Sequence, residues 1–585
     1  VFEAHSWGNL KLRVHFYENA PKNSFIIVDY WIYGKGLTKM EISTTPARSR
    51  LMSKVRHSGT DVELEVIELI KNLGIDYETN VTDLIGTPDI ANKKDKWAIF
   101  VHGCFWHAHE GCHLWKIPNR NRSFWEKKFA DNRKRDQKKM NNLKKLGYSV
   151  LVVWQCELDD KYQLTNKLIE FFGMPFEKYE YSKSHKIVLR HVYLRTGKKI
   201  STRIHLKNID FTNIDAQSAF EYAFLRKRSF PRFYWNSEII PFADLFCGCG
   251  GLSLGAIEAC RAMGKQFQSI FAIDNDPIAL EVYKRNFQPK KGYCANIQSI
   301  LDGDLGSNPT DNELKYLNII KDVGVLLAGP PCKGYSDLNN YTRRNDPRNA
   351  LYMCVIRFIE LFKPKHFIIE NVPPVIHGHN REVEKSINFL SHIGYNIDSD
   401  IFDLSLIGVP QKRRRHILIG STSQNLSIES VCKKYNVNNI RSVRWAIGDL
   451  ENEKPQNIFN TPSRHTKENM DRMQYLNEND LYDLPDKLRP RCHKDGNHSY
   501  KSMYGRIKYD EPAQTITSGF GSPGQGRFIH PSKLRTLTPH EAARLQFFPD
   551  FFDFSSIEKR TSLAEMIGNA VPMKLSYIFC LEFLG

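Results

Sequence analysis

Leu327-Ala328-Gly329-Pro330-Pro331-Cys332-Lys333-Gly334-Tyr335-Ser336 is the stretch that decides the fold of the larger part of this chain. It follows an apolar run, Val323 to Leu327, that predicts a buried strand. Open α/β sheets place their chemistry in loops just beyond the carboxyl ends of such strands. The sequence therefore predicts an α/β sheet with Cys332 as a candidate nucleophile. The alternative is a tight turn that carries an unreactive thiol.

A glycine-rich loop in the same part of the chain predicts a cofactor cradle. The strand Ile239 to Phe246 runs into Cys247-Gly248-Cys249-Gly250-Gly251 and then into a helix, Ala256 to Met263. Because glycine has no side chain, backbone N–H groups in such a loop can approach a ligand. The next strand ends in Asp274-Asn275-Asp276-Pro277, where an acidic residue suits a ribose diol. Together these features favour a nucleoside cofactor.

Four further blocks follow in a fixed order. They are Phe367-Ile368-Ile369-Glu370-Asn371-Val372, Pro410-Gln411-Lys412-Arg413-Arg414-Arg415, Arg535-Thr536-Leu537-Thr538-Pro539 and Gly568-Asn569-Ala570-Val571-Pro572. With the Cys332 stretch and the glycine loop, these blocks resemble the cytosine-5 DNA methyltransferases over residues 240–585. The resemblance implies a Rossmann-like domain, S-adenosylmethionine as the methyl donor, and duplex DNA whose target cytosine is flipped out of the helix.

The resemblance also implies roles for individual residues. Cys332, as a thiolate, would add to carbon 6 of cytosine, because carbon 5 does not accept a methyl group unaided. Glu370 would hold the ring nitrogen and the exocyclic amine, and Arg413 and Arg415 would bind the carbonyl of the base or the Cys332 loop. The implied cofactor-binding residues are Asp244, Phe246, Gly248, Gly250, Gly251, Asp274, Asn275, Asn296, Pro330 and Asn569. The implied DNA-binding residues are Lys333, Thr515 and Thr517.

Two of these positions depart from the family pattern. Asn296 stands where the family usually has an Asp that meets the adenine, so we expect weaker or altered cofactor binding. Lys333 stands where the family often has Gln, and is expected to contact a phosphate.

The N-terminal part of the chain carries a separate set of polar motifs. Thr60 to Gly74 has apolar residues at helical spacing, with Glu63 in the first turn. Gly86-Thr87-Pro88-Asp89-Ile90 precedes a strand, Trp97 to Val101. This order predicts a PD-(D/E)XK-type nuclease, in which carboxylates hold Mg²⁺. An ordinary turn is the alternative for Pro-Asp.

A run rich in cysteine and histidine follows that strand. Val101-His102-Gly103-Cys104-Phe105-Trp106-His107-Ala108-His109-Glu110-Gly111-Cys112 can supply three zinc ligands, and Cys156 can supply a fourth. Phe105, Trp106 and Trp125 lie among basic residues. In a DNA-binding protein such aromatics can wedge into a base stack, and ordinary core packing is the alternative.

Residues 45–160 resemble the very-short-patch repair (Vsr) endonucleases, above all in the His-Gly-Cys-Phe-Trp-His run. Those enzymes nick DNA at the G·T mismatch left by deaminated 5-methylcytosine. The resemblance implies Mg²⁺ on Asp89 and the Val101 carbonyl, His102 and His107 acting on phosphate and water, and Glu63 and Asp136 in support. It implies a structural zinc site and an aromatic wedge. The implied zinc ligands are Cys104, His109, Cys112 and Cys156, and the implied wedge is Phe105, Trp106 and Trp125.

The spacing from His109 to Cys112 is one residue longer than the Vsr pattern. Either the loop bulges or His113 replaces one of the zinc ligands.

Composition bounds the partners and the compartment. The 585 residues include 83 Lys+Arg and 65 Asp+Glu, a net charge of +18, which favours a polyanionic partner such as nucleic acid over a merely basic, solvated surface. No apolar run approaches the ~20 residues of a membrane span, and no signal peptide is recognised. The twelve scattered cysteines favour reduced thiols. We expect a cytoplasmic, nucleoid-associated protein of prokaryotic type.

We predict six segments along the chain. They are an N-terminal extension at 1–44 with Met40 as the expected start, a Vsr-like endonuclease at 45–160, a small α+β connector at 161–238, a methyltransferase core at 239–420, a target-recognition region at 421–526 and the closing part of the core at 527–585.

We expect a bifunctional DNA enzyme and favour a monomer. Mismatch-repair proteins are candidate partners. One alternative is a single-chain restriction–modification enzyme that cuts unmodified sites. The other is a methyltransferase with an inactive nuclease-like DNA-binding module.

Overall fold

The structure is a computed structural model and describes thirteen ranges of the chain. These are residues 2–7, 10–15, 25–31, 41–43, 59–72, 75–172, 176–194, 199–206, 214–232, 237–331, 350–378, 381–491 and 502–585, the first four as backbone only. The chain divides into two compact units, Val1–Phe172 and Gly173–Gly585.

In its described residues, the first unit contains two four-stranded sheets and three helices. Its strands are β1 (Phe2–Trp7), β2 (Leu10–His15), β3 (Phe25–Trp31), β4 (Glu41–Ser43), β5 (Glu78–Thr79), β6 (Ile90–Asn92), β7 (Trp97–His102) and β8 (Ser149–Trp154). Its helices are α1 (Asp61–Asn72), α2 (Arg122–Lys145) and α3 (Lys161–Phe171), with a 3-10 turn at Gln155–Asp160. Strands β1 to β4 form an antiparallel sheet, and β5 to β8 form a second sheet in chain order.

The second sheet of this unit brings two distant parts of the chain to one edge. Strands β7 and β8 run parallel, with His102 opposite Trp154 at their ends. The residues that follow the two strands therefore lie at the same edge of the sheet. Among them are Cys104 and Cys156, which are 52 residues apart along the chain. Apolar side chains of α1 and α3, among them Val66 and Leu168, cover this sheet. Residues 161–171, expected to begin the connector, thus pack within the first unit.

The second unit is built on a seven-stranded sheet. Its strands are β9 (Phe176–Tyr181), β10 (Ile187–Tyr193), β11 (Lys199–His205), β12 (Ile239–Leu245), β13 (Gln266–Asp274), β14 (Gly292–Cys294), β15 (Val325–Ala328), β16 (His366–Asn371), β17 (Asn396–Asp403), β18 (Gln411–Lys412), β19 (Arg414–Ser421) and β20 (Ala513–Gln514). Its helices are α4 (Ala216–Leu225), α5 (Gly251–Ala262), α6 (Pro277–Phe287), α7 (Asp311–Ile319), α8 (Ala350–Phe362), α9 (Glu382–His392), α10 (Ile428–Lys434), α11 (Val443–Ile447), α12 (Lys467–Glu478), α13 (Pro539–Leu545), α14 (Arg560–Asn569) and α15 (Lys574–Leu584). Its 3-10 turns are Ile297–Ser299, Pro373–His377, Leu404–Ile407, Gly448–Leu450, Asp486–Leu488 and Pro523–Gln525.

The strand order places the predicted site residues at one edge. The order is β14-β13-β12-β15-β16-β19-β17, and β19 is antiparallel to both of its neighbours. Strands β12 and β15 lie side by side where the order reverses, which is where open α/β sheets bind ligands. The loop after β12, Asp274, Pro330 and Glu370 therefore share the carboxyl edge of the sheet. The α/β fold expected from the sequence is confirmed.

A small antiparallel sheet precedes this core. Strands β9, β10 and β11 pair in the order β11-β10-β9, and α4 packs on them. This sheet belongs to the second unit.

None of the helices in the described ranges is long and apolar enough to cross a membrane.

Helix α5 packs on the last helix, α15, without room for a side chain between them. A Cβ added at Gly255 would lie 2.0 Å from the Met573 carbonyl oxygen and 2.8 Å from the Tyr577 backbone nitrogen. Gly255→Ala should therefore lower the free energy of unfolding by about 1–3 kcal/mol through overpacking, although Ala is the better helix former. Urea unfolding of the full chain measures this difference.

Gly448→Ala is the matched control. Gly448 has a right-handed φ of −58°, and its added Cβ would meet nothing closer than the Arg444 Cγ at 3.6 Å. We expect this variant to unfold like the wild type. Equal unfolding midpoints for both variants would contradict the tight packing of α5.

Candidate active sites

The glycine loop after β12 adopts a backbone that favours glycine. Gly248 and Gly250 have φ values of 51° and 94°, and Phe246 also lies in the left-handed region at 56°. A Cβ added at Gly250 would lie 2.1 Å from the Phe287 ring, whereas one at Gly248 would meet nothing within 4 Å. The loop is therefore closed on the side of Gly250 and open at Gly248.

The carboxylate of Asp274 holds the loop in place. Its Oδ2 accepts a hydrogen bond from the Gly248 N–H at 2.7 Å, and its Oδ1 accepts one from the Asp276 N–H at 2.9 Å. Burial raises the pKa of Asp274, against the effect of these N–H donors. Asp274 thus connects the end of β13 to the loop that follows β12.

Asp244 lies beneath the same loop. Its Oδ2 accepts a hydrogen bond from the Ser253 hydroxyl at 2.6 Å, and the side chain is buried. Burial, with a smaller contribution from Asp274, raises the pKa of Asp244 to about 8. The carboxyl is therefore neutral at pH 7 and supports the loop from below.

The other predicted cofactor residues surround this loop. Asn296 uses its Oδ1 to cap the 3-10 turn Ile297–Ser299 through the Gln298 N–H at 3.1 Å. The Asn275 carbonyl lies 3.9 Å from the Cys294 Sγ. Asn569 is the exposed last residue of α14. A Cβ added at Gly251 would lie 2.2 Å from the Val571 carbonyl oxygen, so the segment after α14 closes over the start of α5.

Glu370 forms an ion pair at the end of β16. Its Oε1 lies 2.6 Å from Arg415 Nε, and both side chains are buried. Arg413 has a different environment, because its guanidinium donates to the carbonyl oxygens of Ile516 and Ala570, both at 3.0 Å. Arg415 thus contacts the predicted catalytic carboxylate, and Arg413 joins β18–β19 to the closing part of the chain.

Cys332 and Lys333 lie outside the described residues. The backbone is described up to Pro331, and the Pro330 carbonyl oxygen accepts a hydrogen bond from Asn371 Nδ2 at 3.3 Å. Strand β15 therefore leads the chain to a point next to Glu370 before it reaches the predicted nucleophile.

The predicted nuclease residues of the first unit lie close together. The Asp89 Oδ2 accepts a hydrogen bond from the Val101 N–H at 2.7 Å. Burial, with the nearby Glu63 carboxylate, raises the pKa of Asp89 to about 6. Glu63 accepts hydrogen bonds from the Gly59 N–H at 2.9 Å and the Thr60 hydroxyl at 3.0 Å, at the start of α1. The half-buried Asp89 at β7 thus lies near the buried carboxylate of Glu63.

Two histidines and Asp136 complete this cluster. The rings of His102 and His107 stack with centroids 3.8 Å apart. His107 Nδ1 lies 2.7 Å from Asp136 Oδ2, and ligand atoms of all three residues lie within 4.8 Å of one another. Burial, with His107 beside it, lowers the pKa of His102 to about 3. His102 is therefore neutral at physiological pH.

The four predicted zinc ligands form a second cluster. Ligand atoms of Cys104, His109, Cys112 and Cys156 all lie within 4.8 Å of one another. His109 Nδ1 is 3.6 Å from Cys104 Sγ and 3.4 Å from Cys156 Sγ. His113 lies outside the cluster, exposed, with its Nε2 3.4 Å from Asp159.

The extra residue between His109 and Cys112 is accommodated by left-handed backbone. Ala108 has a φ of 55° and Gly111 a φ of 78°. The loop bulges, and His113 does not replace a ligand in the cluster.

Phe105, Trp106 and Trp125 form one half-buried aromatic cluster. The ring of Phe105 lies 5.2 Å from Trp106 and 5.4 Å from Trp125. Lys128 Nζ lies 5.4 Å from the Trp125 ring centroid. The cluster joins the cysteine–histidine loop to the basic helix α2.

The sequence matches the model of C-5 cytosine-specific DNA methylases over residues 240–581. The chain belongs to this family. Residues 40–113 match the model of the DNA mismatch endonuclease Vsr, so the methylase carries an N-terminal Vsr domain. The resemblance to a fusion of these two families is thereby confirmed. Membership implies S-adenosylmethionine as the cofactor and DNA as the substrate of the methylase.

Several curated relatives are Type II methyltransferases. The chain is 44% identical over 398 residues to M1.BsuMI of Bacillus subtilis (strain 168), which covers 68% of this chain and 93% of the relative. It is 30% identical over 347 residues to the Type II methylase M.HgiDII of Herpetosiphon aurantiacus, covering 57% and 92%. Among solved structures, the S. pombe Dnmt2 methyltransferase aligns with a TM-score of 0.41 at 17% identity, covering 59% of this chain and 98% of that one.

Three residues of the methylase site were missed by sequence reasoning. Asn371 holds the Pro330 carbonyl, as described above. The Gln411 side chain donates to the Leu545 carbonyl at 2.9 Å and accepts from the Ile516 N–H at 3.0 Å. Gln546 donates to the Ile567 carbonyl at 2.7 Å. Gln411 lies in the Pro410–Arg415 block, and Gln546 follows the Arg535–Pro539 block. Only their burial in the folded chain reveals that they join the two halves of the methylase.

The predicted DNA-binding threonines of the methylase lie beside these contacts. The Thr515 hydroxyl donates to the Lys412 carbonyl at 2.7 Å, and the Thr517 hydroxyl accepts from the Gly519 N–H at 3.4 Å. Both follow β20, which pairs in parallel with β18.

Asp244→Asn should alter the pH dependence of the stability of the methylase. Folded Asp244 keeps a proton up to about pH 8, whereas an unfolded Asp loses it near pH 4. The free energy of unfolding of the wild type should therefore fall as pH rises between these values. Asn cannot ionise and can still accept from Ser253, so this part of the fall should vanish. Urea unfolding between about pH 5 and about pH 8 measures the difference.

Asp471→Asn, at an exposed position of α12, is the control and should follow the wild type. Parallel pH profiles for wild type and Asp244→Asn would contradict a protonated Asp244.

Proposed function

We propose that this methylase is a bifunctional DNA enzyme. It methylates carbon 5 of cytosine in a specific duplex sequence and nicks DNA at the G·T mismatch that deamination of its own product creates. The observation that carries the second activity is the cluster of Asp89, His102, His107 and Asp136 in the Vsr domain. It retains buried carboxylates and a neutral histidine, whereas a module that only bound DNA would not need them.

The domain division follows the same proposal. The Vsr-like endonuclease occupies residues 45–160 after an extension at 1–44, and of the expected connector 161–238 the helix α3 packs with the first unit and the rest with the methylase. The methylase core occupies 239–420 and 527–585, with target recognition at 421–526. The enzyme acts as a monomer.

Methylation begins with Cys332. Its thiolate adds to carbon 6 of the flipped cytosine, which makes carbon 5 nucleophilic. Glu370 holds the ring nitrogen and the exocyclic amine, and Arg415 orients Glu370 through the 2.6 Å ion pair. Arg413 acts as a positioning residue through the Ile516 and Ala570 carbonyls. Lys333, Thr515 and Thr517 contact the DNA.

The glycine loop fits S-adenosylmethionine. The open space at Gly248 and the carboxylate of Asp274 suit a nucleoside. Phe246, Gly250, Gly251, Asn275, Asn296, Pro330 and Asn569 line the same edge and would hold the cofactor. When bound, it supplies the methyl group. Asp244 acts below the loop as a support.

Nicking uses the histidine cluster. Asp136 orients the His107 ring through its 2.7 Å contact, and the neutral His102 ring stacks on it. Asp89, with Glu63 nearby and the Val101 carbonyl at the end of β7, fits Mg²⁺, because a half-buried and a buried carboxylate close together need a compensating cation. When bound, Mg²⁺ supplies positive charge to the phosphate and activates water. Phe105, Trp106 and Trp125 wedge into the mismatched stack.

The cysteine–histidine cluster fits structural zinc. Tetrahedral zinc with ligands at ~2.0–2.3 Å places neighbouring ligand atoms ~3.3–3.8 Å apart. The 3.6 and 3.4 Å distances from His109 Nδ1 to Cys104 and Cys156 Sγ agree with this geometry. Zinc would join the loop after β7 to the turn after β8.

A nicking assay with reciprocal variants tests the two activities. On a duplex with one G·T mismatch in the methylated sequence, wild-type enzyme with Mg²⁺ should nick the T strand. Asp89→Ala should lower the nicking rate by about 100-fold or more and leave methyl transfer unchanged, because it removes a metal carboxylate. Cys332→Ser should abolish tritium transfer to cytosine and leave nicking unchanged.

The matched, unmethylated duplex separates the proposal from restriction. The Type II relatives make a restriction role the second candidate. Cleavage of the matched duplex without preference for the mismatch would overturn mismatch repair in favour of restriction. No cleavage of either duplex would leave the domain as a DNA-binding module.

Zinc content tests the proposed structural site. Purified wild-type protein should contain about one zinc ion per chain by mass spectrometry of metals. Cys112→Ser should lose it and unfold its first unit more easily, because three ligands hold zinc poorly. His113→Ala, one residue further along the chain, should retain it. Equal zinc in both variants would show that Cys112 is not a ligand.

A further inference from the structure

The segment just before the methylase match is built into the methylase. Strands β9 to β11 and helix α4, together the accessory subdomain (described residues 176–194, 199–206 and 214–232), lie in the same compact unit as the methylase. The family match begins only at residue 240. The match to the Bacillus subtilis relative covers 398 residues, more than the chain has from residue 240 to its end. That similarity therefore extends into the segment before residue 240.

Arg190 is the centre of this interface. It lies in the middle of β10 and is only 3% exposed. Its Nη1 is 2.9 Å from Glu258 Oε1 on α5 and 3.0 Å from the Tyr577 hydroxyl on α15. Its Nε donates to Thr202 Oγ1 at 3.1 Å within the small sheet. A single guanidinium thus joins the accessory subdomain to two helices of the methylase.

The partners of Arg190 form a closed set of buried charges. Tyr577 also donates its hydroxyl to Glu177 on β9. Glu258 also accepts from Arg261 Nε at 2.7 Å. Although burial opposes it, these two arginines keep the pKa of Glu258 below its ordinary value. Glu258 is therefore ionised and requires a cation beside it.

A second set of contacts fixes the other side of the subdomain. Glu221 on α4 accepts from Lys574 Nζ at 2.7 Å and lies 3.2 Å from Arg441 Nη2. The Asp550 N–H donates to the Leu225 carbonyl at 2.8 Å. Lys574 is the first residue of α15, so both ends of the interface reach the same helix.

The two helices held in this way frame the cofactor loop. Helix α5 begins at Gly251, inside the loop, and α15 follows directly on the segment Asn569 to Pro572. Gly251 and Gly255 leave no space between α5 and this segment. A shift of α5 by even a few tenths of an ångström therefore moves the cofactor loop against Val571.

We propose that the accessory subdomain sets the affinity of the methylase for S-adenosylmethionine, with Arg190 as the positioning residue that holds α5 and α15 in register. The subdomain acts through the position of the glycine loop and does not touch the cofactor. Arg190 contacts α5 at Glu258, in the same helix that begins at Gly251 in the loop, and the proposal depends on the cofactor assignment of the family.

Arg190→Met in the full chain tests the proposal. The dissociation constant for S-adenosylmethionine, measured by isothermal titration calorimetry without DNA, should rise by about tenfold, as expected for the loss of charge-assisted hydrogen bonds. The KM for S-adenosylmethionine should rise in parallel. The kcat per active molecule, counted by covalent trapping on a 5-fluorocytosine duplex, should stay within about twofold.

Arg203→Met is the matched control. Arg203 lies on the neighbouring strand β11 and is exposed. It should bind S-adenosylmethionine like the wild type, because its loss leaves no buried carboxylate without a cation.

Tyr577→Phe keeps the test decisive if Arg190→Met does not fold. It removes only the hydroxyl between Arg190 and Glu177 and should raise the dissociation constant by about threefold. Folded variants with the wild-type dissociation constant would overturn the proposal. A lower kcat with an unchanged dissociation constant would also overturn it, because that pattern indicates a purely structural role. An unfolded Arg190→Met together with wild-type binding by Tyr577→Phe would do the same.

Discussion

The absence of a side chain between α5 and the segment that leads into α15 is the constraint on which the methylase depends. Gly251 and Gly255 let backbone atoms of residues 571–577 approach to distances that no Cβ allows. This approach joins the first strand–loop–helix of the domain to the last helix of the chain, which are more than 300 residues apart. The cofactor loop is therefore shaped by both ends of the domain at once.

Burial of carboxyl groups is the second principle of both active sites. The Asp274 carboxylate accepts hydrogen bonds from the backbone N–H groups of Gly248 and Asp276. Burial keeps Asp244, beneath the glycine loop, protonated. In the Vsr domain, Asp89 is half-buried near Glu63, and removal from water raises its pKa as well. In the methylase the buried charge is balanced by Arg415 on Glu370. In the nuclease site we assign that role to a divalent cation.

The two proposed activities are linked by chemistry. Methylation at carbon 5 produces 5-methylcytosine, and its deamination yields thymine opposite guanine. Because thymine is a normal DNA base, a repair enzyme can recognise this damage only by the G·T mismatch. An enzyme that leaves this lesion along its own recognition sequence gains from a nuclease on the same chain, because both domains then share one site preference. The relatives named as Type II methyltransferases explain the methylase part, and the Vsr domain adds the repair proposal.

The sequence by itself determined the two families, the α/β class and the candidate residues, because these depend on local patterns: a glycine loop after a strand, a Pro-Pro-Cys stretch, a His-Cys run. Strand β15 and strand β16 lie within a residue or two of the predicted apolar runs. Tertiary structure alone separated Arg413 from Arg415, since Arg413, between β18 and β19, and Arg415, on β19, contact different partners. It also decided that His113 stays outside the cluster of Cys104, His109, Cys112 and Cys156. The union of the accessory subdomain with the methylase likewise rests on buried ion pairs between residues hundreds of positions apart, such as Arg190 and Tyr577. No local pattern encodes such pairs, because their energy arises only when the folded chain removes both partners from water.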